Sequence, residues 1–203
     1  MDKEPIIKFI RETLSTANFP VSRQVLEGIV SYYEPKSFDK YELFVTEGKI
    51  NSSNLFMTEG FMRSFTHNLE GEEVTTHFYY KNSPVFEAFS LYTKAKSMEN
   101  IQAITECHGF LLSVDNLNML FHSVPEFREF GRAMLVREFV AHKKRTLSLI
   151  NQTAEERYAD LIFSNKEIFQ HVQLKYIASY LGITDSSLSR IRKEFSKKQG
   201  SGH

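Results

Sequence analysis

Arg190, Arg192 and Lys193 stand close together behind a run of small polar residues, Thr184, Asp185, Ser186, Ser187 and Ser189. A guanidinium can donate two parallel hydrogen bonds to one guanine edge, and ammonium groups pair with phosphates. Small hydroxyl side chains let a helix approach base edges without clashing. The chemistry open to this set is recognition of a DNA duplex. Arg190 is the candidate base reader, with Arg192, Lys193, Lys197 and Lys198 as phosphate partners. Gln173, Lys175 and Tyr176, just upstream, are placed to hold the backbone too. Residues 171–198 carry six Lys+Arg against two Asp+Glu, the local charge that such a role requires.

Two helices meeting steeply across a tight turn would position these groups, and 174–193, LKYIASYLGITDSSLSRIRK, has the residues for it. The first helix needs a small residue where the second crosses, and Ala178 supplies it. The turn needs a left-handed backbone, and Gly182 tolerates one. Ile177, Leu181, Ile183, Leu188 and Ile191 would pin both helices to a core. Thr184 can cap the second helix, with Asp185 in its first turn, where a negative charge is favoured. The competing reading is an ordinary helical hairpin.

The rest of the chain changes character twice. Residues 5–33 read as helices, with one stripe at Ile6, Ile7, Phe9, Ile10 and Leu14 and another at Val25, Leu26, Ile29 and Val30. Pro20 separates them and Pro35 follows. Residues 36–114 lose that period. Tyr41–Thr46, Asn54–Met57, Phe61–Thr66, Val74–Tyr80 and Phe110–Val114 read as short strands broken by Gly48, Gly60 and the turn 68–71, which predicts a sandwich or barrel. Helical spacing returns near Asp115, with a helix of about 26 residues from Pro125 to Ile150, roughly 39 Å long. Phe127, Phe130, Met134, Val136, Phe139, Val140, Leu147 and Ile150 supply its apolar faces. Such a helix fits a two-chain pair, or packing along its own chain's strands. Shorter helices at 154–164 and 166–171 precede the helix pair.

Composition sets outer bounds. Of 203 residues, 41% are hydrophobic and 25% charged, an ordinary folded chain. No stretch approaches the ~20 apolar residues of a membrane helix, and Met1-Asp2-Lys3-Glu4 lacks the features of a signal peptide. The single cysteine, Cys107, excludes an internal disulfide and a four-cysteine metal or cluster site, in keeping with a reducing, cytoplasmic setting. The net charge is zero, yet residues 1–127 carry 11 Lys+Arg and 17 Asp+Glu, while 128–203 carry 14 and 8. That split suggests two jobs, the second touching an anion, or chance clustering of solvated charge. No P-loop, nucleophile elbow or His-Glu-x-x-His motif occurs. His67 and His77 stand ten residues apart, and with Cys107 and His108 they make no recognisable ligand set. No cofactor or metal is expected, and no enzyme. The alternatives kept open are a cupin-like β-roll enzyme and a small-molecule-binding protein-interaction module.

On 174–193 and on AEERYADLIF at 154–163, the chain resembles the CRP/FNR family of bacterial transcription regulators, in particular divergent members of the type common in Bacteroidetes. The resemblance implies an α+β fold: an N-terminal cyclic-nucleotide-binding-type β-roll (a double-stranded jelly roll), a long dimerisation helix and a C-terminal helix-turn-helix domain. The expected divisions are 1–124 for the sensor-like roll with its N-terminal helices, 125–152 for the dimer helix and 153–198 for the DNA-binding domain. Residues 199–203 read as an appended tail, too short for a wing. The implied partners are double-stranded DNA at a pseudo-palindromic site, a second copy of the chain, RNA polymerase and an unknown small-molecule effector, with no membrane. The family's phosphate cassette, Gly-Glu followed about ten residues later by Arg and Ser or Thr, departs here. Glu87 matches, but Phe86 replaces the glycine and Ser97-Met98 replace the Arg-Ser pair. Cyclic AMP should not bind in the usual way, because the arginine that clamps its phosphate is missing and Phe86 should crowd the site. The recognition pattern Arg-Glu-x-x-x-Arg becomes Asp185-Ser186-Ser187-Leu188-Ser189-Arg190, so only the last arginine carries over.

Overall fold

The computed structural model describes residues 2–200, with side chains through Lys197. The fold opens with α1 (Glu4–Thr16) and α2 (Arg23–Ser31), both amphipathic. Lys3 ties them together, its ammonium donating to the Val30 carbonyl at 2.8 Å. The Ser22 hydroxyl accepts from the Val25 amide and caps α2.

Eight strands follow: β1 (Glu34–Phe38), β2 (Leu43–Val45), β3 (Ser53–Glu59), β4 (Phe61–His67), β5 (Glu73–Tyr80), β6 (Ser83–Val85), β7 (Asn100–Ala103) and β8 (Cys107–Ser113). They form two four-stranded sheets, ordered β1-β8-β3-β6 and β2-β7-β4-β5. The pairings β1–β8, β3–β8, β3–β6 and β2–β7 are antiparallel. Phe38, Val45, Leu55, Met57, Met62, Val85, Ile101, Ala103 and Cys107 form the core of the roll. Gly60 makes the β3–β4 turn at φ +96°, where a Cβ would fall 2.5 Å from the Glu106 carbonyl oxygen, so only glycine fits. The five strands read from alternation are all present. Three were not read. β1 and β6 are edge strands holding Pro35 and Pro84, which proline tolerates only there. β7 is four residues long.

The remaining helices are α3 (Ala88–Thr93), α4 (Val114–Ser123), α5 (Pro125–Asn151), α6 (Ala154–Ser164), α7 (Ile168–His171), α8 (Leu174–Leu181) and α9 (Asp185–Gly200). α9 runs through Gly200, so the first two residues of the tail expected at 199–203 are helical, and residues 201–203 lie outside the described residues. α5 has 27 residues, in line with the sequence expectation. No helix among the described residues is long and apolar enough to cross a membrane.

The chain divides into two compact units. One comprises the residues up to Ser64 and Phe78–Ala141, and the second Phe65–His77 and the residues from His142. The first holds a second core, where Ile6, Ile10, Leu14, Leu26 and Ile29 of α1 and α2 meet Phe56, Phe110 and Leu112 on the outer face of β3 and β8. Alternation along β3 explains both cores: Leu55 and Met57 face the roll, and Phe56 between them faces the helices. In the second unit, Tyr158 packs edge-on against Phe169 and Phe195, each at 5.4 Å.

Candidate nucleic-acid interface

The second unit builds its helix pair as the sequence requires. Gly182 follows α8 in the left-handed region, at φ +68°. The Ile183 amide then reaches back to the Ala178 carbonyl at 3.0 Å, closing the helix end. Ala178 is buried, and Ile177, Leu181, Leu188 and Ile191 are each at most 3% exposed, while Ile183 is half-buried. The Thr184 hydroxyl accepts from the Ser187 amide at 3.3 Å and caps α9.

Two arginines hold the end of α8. Arg145 of α5 donates to the Tyr180 carbonyl, and its guanidinium lies 3.7 Å from the Tyr180 ring centroid. Arg157 of α6 donates to the Leu181 carbonyl at 3.0 Å and to the Gln152 carbonyl at 2.6 Å. The last carbonyls of a helix lack partners within it, and cations are favoured at that negative end. α6 is in turn fixed by a reciprocal cap between Thr153 and Glu156, and the hydrogen bonds donated by the Thr153 amide and hydroxyl hold the Glu156 carboxyl below the usual carboxylate range. Neither arginine was singled out in the sequence, because their roles depend on a helix far along the chain.

The exposed face then carries Thr184, Asp185, Ser186, Ser189, Arg190, Lys193 and Lys197, with Ser187 half-buried. Gln173 and Lys175 are exposed at the start of α8. Two expected contacts sit differently. Tyr176 is only 8% exposed and belongs to the unit's core, with Lys175 lying 4.9 Å over its ring. Arg192 is half-buried and lies close enough to Tyr158 to oppose the upward push that burial gives that phenol. Lys198 has no described side chain.

The tip of the β4–β5 hairpin belongs to this unit and was not foreseen. The Thr75 amide donates to the Ser179 hydroxyl at 3.2 Å, and Ser179 donates to Thr75 Oγ1 at 3.0 Å. Glu72 and Glu73 thereby line one cleft with Lys175, Thr184, Asp185 and Ser186. Nearby, the His77 and His142 rings lie 6.1 Å apart. Burial, reinforced by His142 and Arg145, pushes the His77 imidazole down to about 4.

The cassette region lies in the first unit. Both oxygens of Glu87 accept backbone amides, from Phe89 at 2.9 Å and Ser90 at 2.8 Å, so the carboxylate caps α3. The Ser97 hydroxyl is buried and donates to the Glu99 carbonyl at 2.7 Å, while Met98 is 62% exposed. The Tyr79 hydroxyl donates to the Phe86 carbonyl at 3.3 Å and pairs with Ser64 at 3.1 Å. The Phe86 ring does not crowd this region, which corrects the sequence expectation. It packs on the helix-side core instead.

No family model matches the chain. An anaerobic regulatory protein of Haemophilus influenzae is 25% identical over 191 residues, covering 88% of this chain and 74% of the relative. FixK2 from Bradyrhizobium japonicum superposes with a TM-score of 0.71 at 18% identity, over 82% of this chain and 86% of that one. A protein from Eubacterium rectale assigned to the crp/fnr family of transcriptional regulators gives 0.68 at 12% identity, over 88% and 85%. The chain has the CRP/FNR fold. The α+β architecture and the family resemblance drawn from the sequence are thereby borne out.

Within this CRP/FNR fold the long helix divides its duties. Phe127, Phe130 and Met134 are buried against α1, β3 and α4 of their own chain. They were expected to line a dimer seam, and intramolecular packing has claimed them. Val136, Phe139, Val140, Leu147 and Ile150 are 43–75% exposed.

Proposed function

We propose that this chain is a sequence-specific DNA-binding transcription regulator of the CRP/FNR type, acting as a homodimer. The observation that carries the reading is the exposed polar face of α9, with Arg190 and Lys193 beyond the Thr184 cap. The relatives it resembles, named as regulators, support it. In this reading α9 enters a major groove, Arg190 reads a base edge, and Ser186 and Ser189 allow close approach. Lys175, Lys193 and Lys197 meet phosphates. The exposed apolar residues of α5 from Val136 to Ile150 pair with a second copy, so two α9 helices address half-sites of a pseudo-palindrome about 34 Å apart.

The divisions 1–124, 125–152 and 153–198 then correspond to sensor, dimer helix and reader. The setting is cytoplasmic, and RNA polymerase is the protein partner. Cyclic AMP is not the effector in the usual way, since Ser97-Met98 offer no guanidinium and Glu87 is committed to the amides of α3. Catalysis is not part of this role. Among the described residues no group of three or more His, Cys, Asp or Glu is placed to hold a metal ion.

Gel-shift titration across salt concentrations tests the proposal. With about six phosphate contacts per dimer, affinity should fall about a thousandfold between 50 and 200 mM salt. Affinity independent of salt, or no shift at 50 mM, contradicts it.

A further inference from the structure

The first unit holds a void of ≈ 50 Å³ that the DNA-reading role does not use. It lies on the helix side of the β1-β8-β3-β6 sheet, because its β3 wall is the Phe56 face and not the roll interior. Phe9, Phe56, Phe86, Phe127, Phe130 and Met134 are among its lining residues. Gly131 of α5 belongs to the wall as well, and any side chain there would collide with the Phe121 ring. A glycine inside a helix weakens it, so this position is shaped for the packing of the wall.

Three lining residues carry polar side chains: Tyr92, which is 47% exposed, and Tyr33 and Asn54. Tyr33 is 5% exposed, and its hydroxyl makes no hydrogen bond among the described residues. Burial alone raises its titration above the ordinary tyrosine range. The side-chain oxygen of Asn54 is buried and likewise has no hydrogen-bond partner. One is a donor and the other an acceptor, and buried polar groups are ordinarily satisfied. No lining residue is charged. An ion entering here would lose its hydration with no counter-charge, which excludes carboxylates, phosphates and metal cations. A cavity needs about 10–15 Å³ to admit one water, and about 150 Å³ houses a benzene, so the space suits a body of roughly two to four carbons.

We propose that this cavity is a binding site for a small neutral amphiphile, a short apolar chain ending in one group that both donates and accepts, such as an alcohol. The ligand oxygen accepts from Tyr33 and its proton goes to Asn54. The site differs from the family cassette at Glu87 and Ser97, and it does not depend on the chain binding DNA.

The test is an NMR titration of the full chain with butan-1-ol, using the Met134 and Leu117 methyl signals as reporters. Saturable shifts confined to the cavity lining are expected. Methyl propyl ether, of the same length but without a donor, should bind about 3–10-fold more weakly, the effect of one lost hydrogen bond. Tyr33→Phe should weaken butan-1-ol by a similar factor without lowering Tm, because the hydroxyl it removes holds no partner in the free protein. Non-saturating shifts, shifts spread over the whole surface, or equal affinity for alcohol and ether would overturn the proposal. The alcohol–ether comparison uses the unaltered protein and decides the matter even if Tyr33→Phe fails to fold.

Discussion

Arg190 and Arg192 lie two residues apart on α9 and meet different fates. Arg190 projects from the exposed face, while Arg192 is half-buried beside Tyr158. Two positions along a helix amount to about 200°, so neighbouring cations cannot share one face. Arg190→Ala should therefore cost about 1–3 kcal/mol at a single base position, read as loss of preference at that position in competition binding. Unchanged preference would remove Arg190 from the base-reading role. Ala178, Gly182 and Thr184 were legible in the sequence because each answers a local backbone need, a close crossing, a positive φ and an orphan amide. The burial of Tyr176 and the half-burial of Arg192 were not, because both depend on what other helices bring against them. Phe86 shows the same limit: its size was evident, but not the side of the chain on which its ring would settle.

Elements follow the same rule at a larger scale. Strands with apolar alternation and helices with a regular stripe could be read, including α5 to within a residue or two. α3 could not, since its six residues leave little room for a period, and its Glu87 cap looked like part of a ligand cassette. The β4–β5 hairpin was legible as strands around the turn 68–71, but its bond from Thr75 to Ser179 spans 104 positions and leaves no local trace. That hairpin also places His77 beside His142 and Arg145. Its imidazole titrates near 4 when folded and near 6.5 when unfolded. Between those values the unfolded chain binds more protons, so stability rises with pH in that window. The His77 contribution is fully present above about pH 6.5 and is lost as pH falls through 4. Its size is about 1–3 kcal/mol. Urea unfolding at a series of pH values should show a steeper loss for the natural protein than for His77→Gln. Parallel curves would contradict it.

The whole molecule is neutral only on average: residues 1–127 are acidic and 128–203 basic. On the proposed reading, this split keeps nonspecific attraction to DNA on the basic part of the chain. Phe139 at 72% and Ile150 at 75% exposed are large apolar side chains that water should not surround in the working assembly. Phe139→Glu with Ile150→Glu should convert a sedimenting dimer into a monomer without unfolding the roll, whose core they do not touch. Persistence of the dimer would place the seam elsewhere. The central claim is that α8, Gly182 and α9 form a reading head used in symmetric pairs. Selection of binding sites from a random duplex library tests it most directly. The account predicts enrichment of an inverted repeat with half-site centres about 10 base pairs, or a whole multiple of that, apart. Enrichment of an unpaired motif, or of no sequence at all, would contradict it.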